Sequence, residues 1–396
     1  MASALEGIRI LDFSRFGAGP LCPRILADLG AEVIRVERSK GEADRTMPPY
    51  TPGGDSLFFG ETSRHKKCIT LNLGNERGRE ILKELVKCGD VLVHNFPPET
   101  KQAKTLAYEN LKEANPAIIA VSMTGFGLSG PYSPRSGFDG VAQAMSGIMS
   151  FTGFPGDPPT RWGVAGVDWC SGLYATIAVL AALRYREKTG QGQLIDASLL
   201  DSAIDLAAGL GIYADYQLNN VVRSQLGNQG WYVSSNLYKT TDGWLYIGMA
   251  VNEQWERFCK VIGKEEWIGD PNFKSPLSRF KNKDVTNPYI EQWMSERTCE
   301  EVNRMMEEAY VPCGEVYTVD RVLTDPHVKE RGMLVEIESP NGEPILAAGF
   351  PVKLSLTPAK VEGPIPQLGE HNDEVYGKLL GFSPEEILQF RENGAL

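Results

Sequence analysis

Ile8-Arg-Ile-Leu-Asp-Phe13 opens the stretch that decides the fold, since it has the pattern of a short buried strand. It leads into Gly17-Ala-Gly-Pro20 and then into a helical segment, Leu21–Leu29. Gly30 ends that segment, and Ala31-Glu-Val-Ile-Arg-Val-Glu37 has the pattern of a second strand. A strand, a helix and a strand within about thirty residues predict a parallel β-α-β unit, the usual start of a doubly wound sheet.

The turn of this unit has part of a nucleotide-binding pattern. Gly17-Ala-Gly19 resembles half of a dinucleotide fingerprint, but Pro20 follows and the third glycine is missing. A lone GxG is a weak signal, so we predict a tight strand-to-helix turn with exposed backbone. Proline suits the first turn of a helix, where its missing N–H has no partner to lose.

The following segments repeat the alternation of strands and helices. Glu76–Cys88 predicts an amphipathic helix, and apolar runs predict strands at Cys68–Leu73, Val91–Phe96 and Ile118–Met123. This order predicts an α/β domain with a largely parallel, Rossmann-like sheet. Ligands of such sheets bind beyond the carboxyl ends of the strands. Those ends are predicted at Ser14–Phe16, Arg38, Asn95–Phe96 and Thr124–Gly127.

The composition changes after about Ala203, where Asn, Gln and aromatic residues become frequent. We predict that residues 1–216 form the first part of a large α/β domain. Residues 217–323 are predicted to form a smaller α+β domain, and residues 324–396 to return to the large domain and end in a helix.

Composition and charge exclude several classes of protein. The 396 residues carry a net charge of −11, whereas nucleic-acid binding favours a basic surface. The seven cysteines form no CxxC pair, which predicts reduced thiols in a cytoplasmic protein without a disulfide framework or zinc site. The four histidines are scattered, and no P-loop, HExxH or GxSxG motif occurs, so we expect no metal. The N-terminus has neither a basic nor an apolar region of a secretion signal.

The longest apolar run, Trp169–Leu183, is predicted to be a core helix, because it is too short to span a bilayer. Its apolar residues cover every face, so we expect burial on all sides and no membrane association. Arg184–Gly190 supplies cations and a glycine, which predict the end of the helix.

Asp168 is the one acid of the uncharged stretch Gly163–Ala175, which leads into this helix. Two interpretations compete. Asp168 either caps the helix by accepting hydrogen bonds from first-turn amides, or it is a catalytic carboxylate presented by a rigid helix. A second charged feature, Arg64-His-Lys-Lys67, is a basic cluster that forms either a solvated turn or a phosphate site.

An ordered series of segments resembles the class III CoA-transferases of the formyl-CoA/carnitine (CaiB/BaiF-like) type, a family that includes α-methylacyl-CoA racemases. The similar segments run from Leu5–Phe13, with Gly19-Pro20, through Leu29–Glu37 to Leu368–His371. Between them lie the similar segments Lys67, Ile69–Asn72, Asn95-Phe96, Thr189–Gln193 and Asp325–His327.

The resemblance implies a carboxylate mechanism, with Asp168 at the position of the family's catalytic aspartate. The carboxylate attacks the thioester of an acyl-CoA, forming an aspartyl anhydride and then an aspartyl-CoA thioester, from which CoA passes to an acceptor acid. An unperturbed aspartate titrates near ~3.9, so we expect Asp168 to be ionised without special tuning. CoA is a substrate and product here, and the resemblance implies no tightly bound cofactor.

The resemblance also implies which residues bind CoA. Arg38 matches a position that contacts the nucleotide, and Leu71 an apolar wall beside the adenine. Asn95 and Phe96 match positions that line the CoA groove, and Lys104 lies within a residue of a basic position near the phosphates.

Four residues are candidates for the acid pocket: Phe16, Gly17, Phe138 and Asp139. Gly17 stands where a glutamine is common, and the glycine run that covers the aspartate in some members is not obvious, although Gly227–Gly230 lies in that region. The racemase branch needs a His-Asp pair where this chain has Phe138-Asp139. Phenylalanine cannot act as a base, so a transferase is favoured over a racemase.

The resemblance allows more than one partner and more than one substrate. The resemblance implies an interlocked dimer, either a homodimer or a heteromer with a paralogous subunit, in which this chain could also be non-catalytic. The partners are an acyl-CoA, with succinyl-CoA as the suggested donor, and an aromatic or branched carboxylic acid. Five aromatic side chains could form an aromatic pocket or belong to the core: Phe138, Phe151, Trp162, Trp169 and Trp231.

Overall fold

The computed structural model describes residues 3–396. Its eleven strands are β1 (Arg9–Asp12), β2 (Glu32–Glu37), β3 (Lys67–Thr70), β4 (Val91–His94), β5 (Ile119–Thr124), β6 (Leu194–Ser198), β7 (Asn236–Lys239), β8 (Trp244–Ile247), β9 (Cys313–Glu315), β10 (Leu334–Glu338) and β11 (Pro344–Ala348).

The seventeen α-helices of the described chain are α1 (Ala18–Asp28), α2 (Leu57–Ser63), α3 (Glu76–Cys88), α4 (Lys101–Thr105), α5 (Tyr108–Ala114), α6 (Asp139–Met145), α7 (Ile148–Phe151), α8 (Gly166–Thr189), α9 (Leu199–Ala208), α10 (Ile212–Asn219), α11 (Asn252–Val261), α12 (Pro276–Lys281), α13 (Lys283–Ser295), α14 (Cys299–Glu308), α15 (Val319–Thr324), α16 (Pro326–Glu330) and α17 (Pro384–Glu392). Two short 3₁₀ helices (Ala43–Thr46 and Glu265–Trp267) and a π-helical segment (Asp373–Leu379) complete the elements.

The main sheet has six parallel strands in the order β3-β2-β1-β4-β5-β6. This is the strand order of a Rossmann-like sheet, with the reversal between β1 and β4. Its central strands are almost continuously apolar because helices cover both faces. The α/β class and the parallel sheet are therefore confirmed.

The predicted β-α-β unit is confirmed, with one correction. The helix α1 begins at Ala18 rather than at Leu21, so Ala18 and Gly19 belong to the helix and not to the turn. Pro20 is the third residue of α1, where its missing N–H leaves no intrahelical hydrogen bond unmade. Gly30 ends the helix in the left-handed conformation, with φ of 104°.

The helix α8 ends as predicted, because Gly190 is its left-handed C-cap with φ of 72°. The prediction of burial on all faces was wrong. One face packs on α1, where a Cβ on Gly172 would lie 2.7 Å from Leu21 Cδ2. The opposite face leaves Leu173 and Ile177 50% and 62% exposed in the single chain.

By length and composition α8 is also able to cross a membrane, contrary to the estimate from its apolar run alone. A single such helix is weak support for a membrane span, and this one packs against α1, β5 and β6 within the α/β fold.

Two cations of the basic cluster Arg64–Lys67, Arg64 and Lys66, lie in buried ion pairs rather than in a solvated turn. The Arg64 guanidinium is buried beside Asp28 and Glu61. The Lys66 ammonium is buried 2.8 Å from Asp12, and burial lowers its pKa although Asp12 opposes the shift. Both cations thus form buried ion pairs with carboxylates from distant parts of the sequence, Arg64 with Asp28 and Lys66 with Asp12.

The described chain divides into two compact units. The first contains the described residues up to Ile148 together with Arg161–Asn220 and Pro326–Leu396, and the second contains Met149–Thr160 and Val221–Asp325. The smaller domain was predicted at residues 217–323. The second unit differs from it mainly because the segment Met149–Thr160 also belongs to this unit. The second unit has an antiparallel sheet, β7-β8-β9, and its own apolar core.

Candidate active site

A cavity of about 140 Å³ opens beyond the carboxyl ends of β1 and β4, where the strand order reverses. This is the place at which doubly wound sheets bind their ligands. The lining residues come from the turn after β1, the loop after β4, the loop after β5 and the starts of α8 and α9; they are Arg15–Ala18, Asn95, Pro97, Pro98, Met123–Gly125, Arg135–Phe138, Asp168 and Leu199.

Asp168 is the only acid among these lining residues of the described chain. It lies in the first turn of α8, and its carboxylate accepts a hydrogen bond from the backbone N–H of Ala18, the first residue of α1. The carboxylate therefore lies at the N-termini of two helices, whose free N–H groups and dipoles favour negative charge.

Asp168 does not cap its own helix. The Oδ2 atom of Asp139 accepts hydrogen bonds from the backbone N–H groups of Val167 (2.8 Å) and Asp168 (3.1 Å). Its Oδ1 atom accepts from Gln143 Nε2 at 2.5 Å. The capping function suggested for Asp168 thus belongs to Asp139, and the Asp168 side chain is free to face the cavity.

The environment raises the pKa of Asp168 to about 7. Burial is the largest cause, repulsion by the Asp139 carboxylate is the second, and the hydrogen bond from Ala18 opposes both. The expectation that Asp168 is ionised without special tuning was therefore wrong. With a pKa of about 7, the carboxyl group is only partly ionised at neutral pH.

Replacing Asp139 with alanine is expected to reduce the free energy of unfolding by about 1–3 kcal/mol. The variant leaves two first-turn N–H groups of α8 and the amide of Gln143 without their acceptor. Urea unfolding monitored by circular dichroism measures the change. Asp139→Asn, which keeps one acceptor oxygen, is the matched control and should lose less. An unchanged stability in Asp139→Ala would contradict the capping function.

Because Gly17 has no side chain, the Asp168 carboxylate can occupy the space beside its Cα. A Cβ at position 17 would lie 2.4 Å from Asp168 Oδ2. The backbone of Gly17 has φ of −93°, which other residues adopt freely, so close approach and not conformation requires glycine here. The absence of a side chain at this position allows direct contact between α1 and the carboxylate.

Buried polar groups hold the turn Arg15–Ala18 in place. Phe16 has a positive φ of 65°, and its N–H donates to Asp44 Oδ2 at 3.0 Å. The fully buried Arg35 in turn donates to both oxygens of Asp44 at 2.9 Å. The side chain of Asn95 accepts from the Arg15 N–H and donates to the Arg15 carbonyl. Phe16 therefore keeps its left-handed conformation, because the hydrogen bonds to Asp44 and Asn95 hold the turn in place.

The structure brings together some of the predicted CoA-binding residues and not others. Asn95 lines the cavity, and Phe96 is buried beside it under the Arg15 guanidinium. Arg38 is exposed and donates to the Gly41 carbonyl. Leu71 does not form a surface wall, because it is 3% exposed within the core. Lys104 pairs with Glu99 on the surface and is not among the cavity residues.

Three of the four candidate pocket residues line the cavity. Phe16 and Phe138 form an edge-to-face ring pair with centroids 6.1 Å apart, and Gly17 lies beside them. Asp139 lies behind the cavity as the cap of α8. Trp162 and Trp169, two of the aromatic residues suggested for the pocket, are not among the residues that line this cavity.

Sequence reasoning missed Arg15 and Arg135, the two cations of the cavity wall. Arg15 lies within the predicted carboxyl end of β1, where ligands bind, so its position in the sequence could have identified it as a site residue. Arg135 lies in a glycine-rich loop, whose path no local pattern specifies.

The profile of CoA-transferase family III matches residues 5–372, and the chain belongs to this family. Succinyl-CoA–D-citramalate CoA-transferase of Chloroflexus aurantiacus is 34% identical over 386 residues, which cover 97% of this chain and 96% of the relative. Human succinyl-CoA:glutarate CoA-transferase is 34% identical over 394 residues, covering 99% and 90%. A CaiB/BaiF family protein from Brucella suis has a similar crystal structure, with a TM-score of 0.83, 31% identity and coverage of 96% and 100%. The family resemblance is thereby confirmed.

Proposed function

We propose that this chain transfers CoA from an acyl-CoA to a free carboxylic acid, with Asp168 as the covalent nucleophile. The observation that carries the proposal is the Asp168 carboxylate, which faces a cavity at the reversal point of the sheet and accepts the N–H at the start of α1. Membership of CoA-transferase family III supports this class of reaction.

The first half of the reaction converts the acyl-CoA into an enzyme thioester. A carboxylate oxygen of Asp168 attacks the thioester carbonyl, the C–S bond breaks, and the electron pair leaves on the CoA thiolate. The thiolate then attacks the Asp168 carbonyl carbon of the resulting anhydride, and the donor acid leaves as a carboxylate. An acceptor carboxylate reverses both steps, so the thioester energy is conserved and no net proton is consumed.

The backbone N–H of Ala18 is placed to help both steps. It holds the carboxylate in one orientation, which reduces the entropy cost of the attack. When the thiolate attacks the Asp168 carbonyl, negative charge develops on an oxygen of the same group, where a fixed donor is effective. The Phe16 and Phe138 rings supply an apolar part of the cavity wall beside the anhydride.

The rate of transfer at low acyl-CoA concentration is expected to rise with pH through about 7. Only the ionised form of Asp168 is nucleophilic, and burial together with Asp139 raises its pKa to about 7. The measurement is kcat/KM for the acyl-CoA between pH 5 and 9. Asp139→Asn, which removes the repelling charge, should move the midpoint to lower pH. A profile that is flat between pH 6 and 8 would contradict this assignment.

A racemase is disfavoured by the geometry. No histidine is among the lining residues of the cavity in the described chain, and Phe138 holds the position where the racemase branch has its base. Both oxygens of Asp139 are engaged by N–H donors, so Asp139 is not a free base. We expect no exchange of the α-proton of a 2-methylacyl-CoA into deuterated water when no acceptor acid is present.

We propose a homodimer as the assembly, supported by the exposed face of α8. Leu173, Ile177 and Leu180 follow helical spacing and are 50%, 62% and 38% exposed, an apolar stripe of a kind that marks protein interfaces. Light scattering should give twice the mass of the chain for the purified protein, and Ile177→Glu should shift it towards one chain mass. Exposed Leu388→Glu on α17 is the matched control. A monomeric wild-type protein would exclude the homodimer.

Trapping the enzyme-bound thioester tests the proposed reaction directly. Wild-type protein incubated with an acyl-CoA and no acceptor should gain the mass of CoA less one water, and peptide mapping should place the adduct on Asp168. Hydroxylamine should release it, since thioesters react with that nucleophile. A transfer reaction with the adduct on another acid, or without an adduct, would rule out Asp168 as the nucleophile.

A further inference from the structure

We propose that Arg15 binds the distal carboxylate of a short dicarboxylic acyl group, so that the site selects dicarboxylic over monocarboxylic acids. The inference rests on the proposed function and names the class of acid that the site accepts. It begins with the charge of the cavity wall, whose charged residues are Asp168, Arg15 and Arg135. Two cations face a single reacting carboxylate, which leaves a site for a second anion.

The charge of Arg15 is incompletely matched by the protein. Across residues 3–396 its single ion pair is with Glu42, whose Oε2 lies 3.4 Å from Nη1. Glu42 also lies 3.7 Å from Arg38 Nε, so one carboxylate serves two guanidinium groups. The Nε atom of Arg15 is buried without an acceptor. A guanidinium has five N–H donors in a planar fork that suits a carboxylate, and here most of them remain available.

The guanidinium is nevertheless held in a fixed place. Its Cζ lies 4.5 Å from the centre of the Phe96 ring, and the side chain is 25% exposed. Asn95 fixes the Arg15 backbone through two hydrogen bonds of 2.9 and 2.6 Å. A prearranged cation loses little conformational entropy when it binds an anion, which increases its contribution to affinity.

The small size of the cavity favours an anion close to the reacting carbon. Arg15 and Asp168 line the same space of about 140 Å³, which is similar to an engineered cavity of about 150 Å³ that holds one benzene molecule. Because Arg15 and Asp168 line the same cavity, we infer that an anion bound at Arg15 lies within a few bonds of a thioester carbonyl at Asp168. The phosphates of CoA are separated from the sulfur by the long pantetheine arm, whereas the distal carboxylate of a succinyl or glutaryl group lies at that distance.

Two matched pairs of ligands test the assignment. Butyryl-CoA has a terminal methyl group where succinyl-CoA has a carboxylate, and the two are otherwise identical. Valerate and glutarate differ in the same way and serve as the pair of acceptors. Wild-type protein should prefer the dicarboxylic member of each pair in kcat/KM. In Arg15→Gln that preference should fall by about 10- to 100-fold, the range of one charge-assisted hydrogen bond to a carboxylate, because the dicarboxylic reactions lose more than the monocarboxylic ones. Arg15→Lys keeps the positive charge but lacks the planar guanidinium, so it should recover part of the preference for the dicarboxylic ligands.

Control variants and binding measurements separate the other outcomes. An equal loss for succinyl-CoA and butyryl-CoA in Arg15→Gln would assign Arg15 to the CoA phosphates and overturn the proposal. A selective loss in Arg135→Gln and not in Arg15→Gln would also overturn it. Calorimetric titration of succinyl-CoA and butyryl-CoA into Asp168→Asn, with and without Arg15→Gln, gives the same comparison without turnover. If wild-type protein transfers no CoA, the proposed reaction fails, while this titration still decides the role of Arg15.

Discussion

Asp168→Asn is expected to abolish CoA transfer, with a loss of kcat on the order of 10⁴ or more. The amide has nearly the shape of the carboxylate, so the cavity and the contact with Ala18 remain available, but its oxygen is a poor nucleophile and no CoA adduct can form. Steady-state transfer and intact-protein mass spectrometry measure the two effects. Asp201→Asn makes the same chemical change in the first turn of α9 on the surface, and should leave transfer unchanged.

The same variant should be more stable than the wild-type protein at alkaline pH. The pKa of Asp168 is raised in the folded protein to about 7 from 3.8, so the folded state binds the proton more tightly than the unfolded chain does. The wild-type protein therefore loses stability as pH rises from about 4 to 7, by a few kcal/mol at most. Asp168→Asn lacks this loss, so its advantage in stability should be present at pH 8 and absent at pH 4.

Transfer activity that persists in Asp168→Asn, in a preparation free of wild-type protein, would rule out the proposed mechanism.

Gly17→Ala is expected to lower kcat/KM by about 100-fold or more while the protein remains folded. The added Cβ would lie 2.4 Å from Asp168 Oδ2, against 3.4–4 Å for an ordinary contact, so the carboxylate must move by about 1 Å. The atom that moves is the end of a side chain, which can rotate without shifting a helix. The nucleophile is thereby displaced from the Ala18 N–H and from the bound thioester, and small displacements of reacting groups are costly.

Three measurements distinguish displacement from unfolding in Gly17→Ala. Thermal unfolding should stay close to that of the wild-type protein, because the backbone of Gly17 is compatible with alanine. Gly140→Ala is the matched control, since its nearest neighbour, Arg161 Cδ, is at 3.7 Å. In the Asp168→Asn background Gly17→Ala should cause no further loss of transfer. Full activity in Gly17→Ala would show that the carboxylate reacts from another position.

Local patterns in the sequence determined the α/β fold. Apolar runs, glycines after helices and the alternation of elements predicted the positions of the strands β1 to β5 and of the helices α3 and α8, because these signals act within a few residues. Ends of strands were overestimated by one to three residues, since apolar residues continue into the loops. The start of α1 was misplaced because proline is tolerated at more than one position of a first turn.

The tertiary structure alone decided how the charged residues pair. Asp139 caps α8 from 28 residues before Val167, and Lys66 pairs with Asp12 across 54 residues. The raised pKa of Asp168 depends on burial and on Asp139, and the exposure of one face of α8 depends on which helices cover the sheet. The sequence thus placed Asp168 at the start of a helix, whereas the fold turned its carboxylate towards the cavity and set Arg15 beside it. These contacts join residues that no local pattern relates, so they exist only once the sheet has brought its strand ends together.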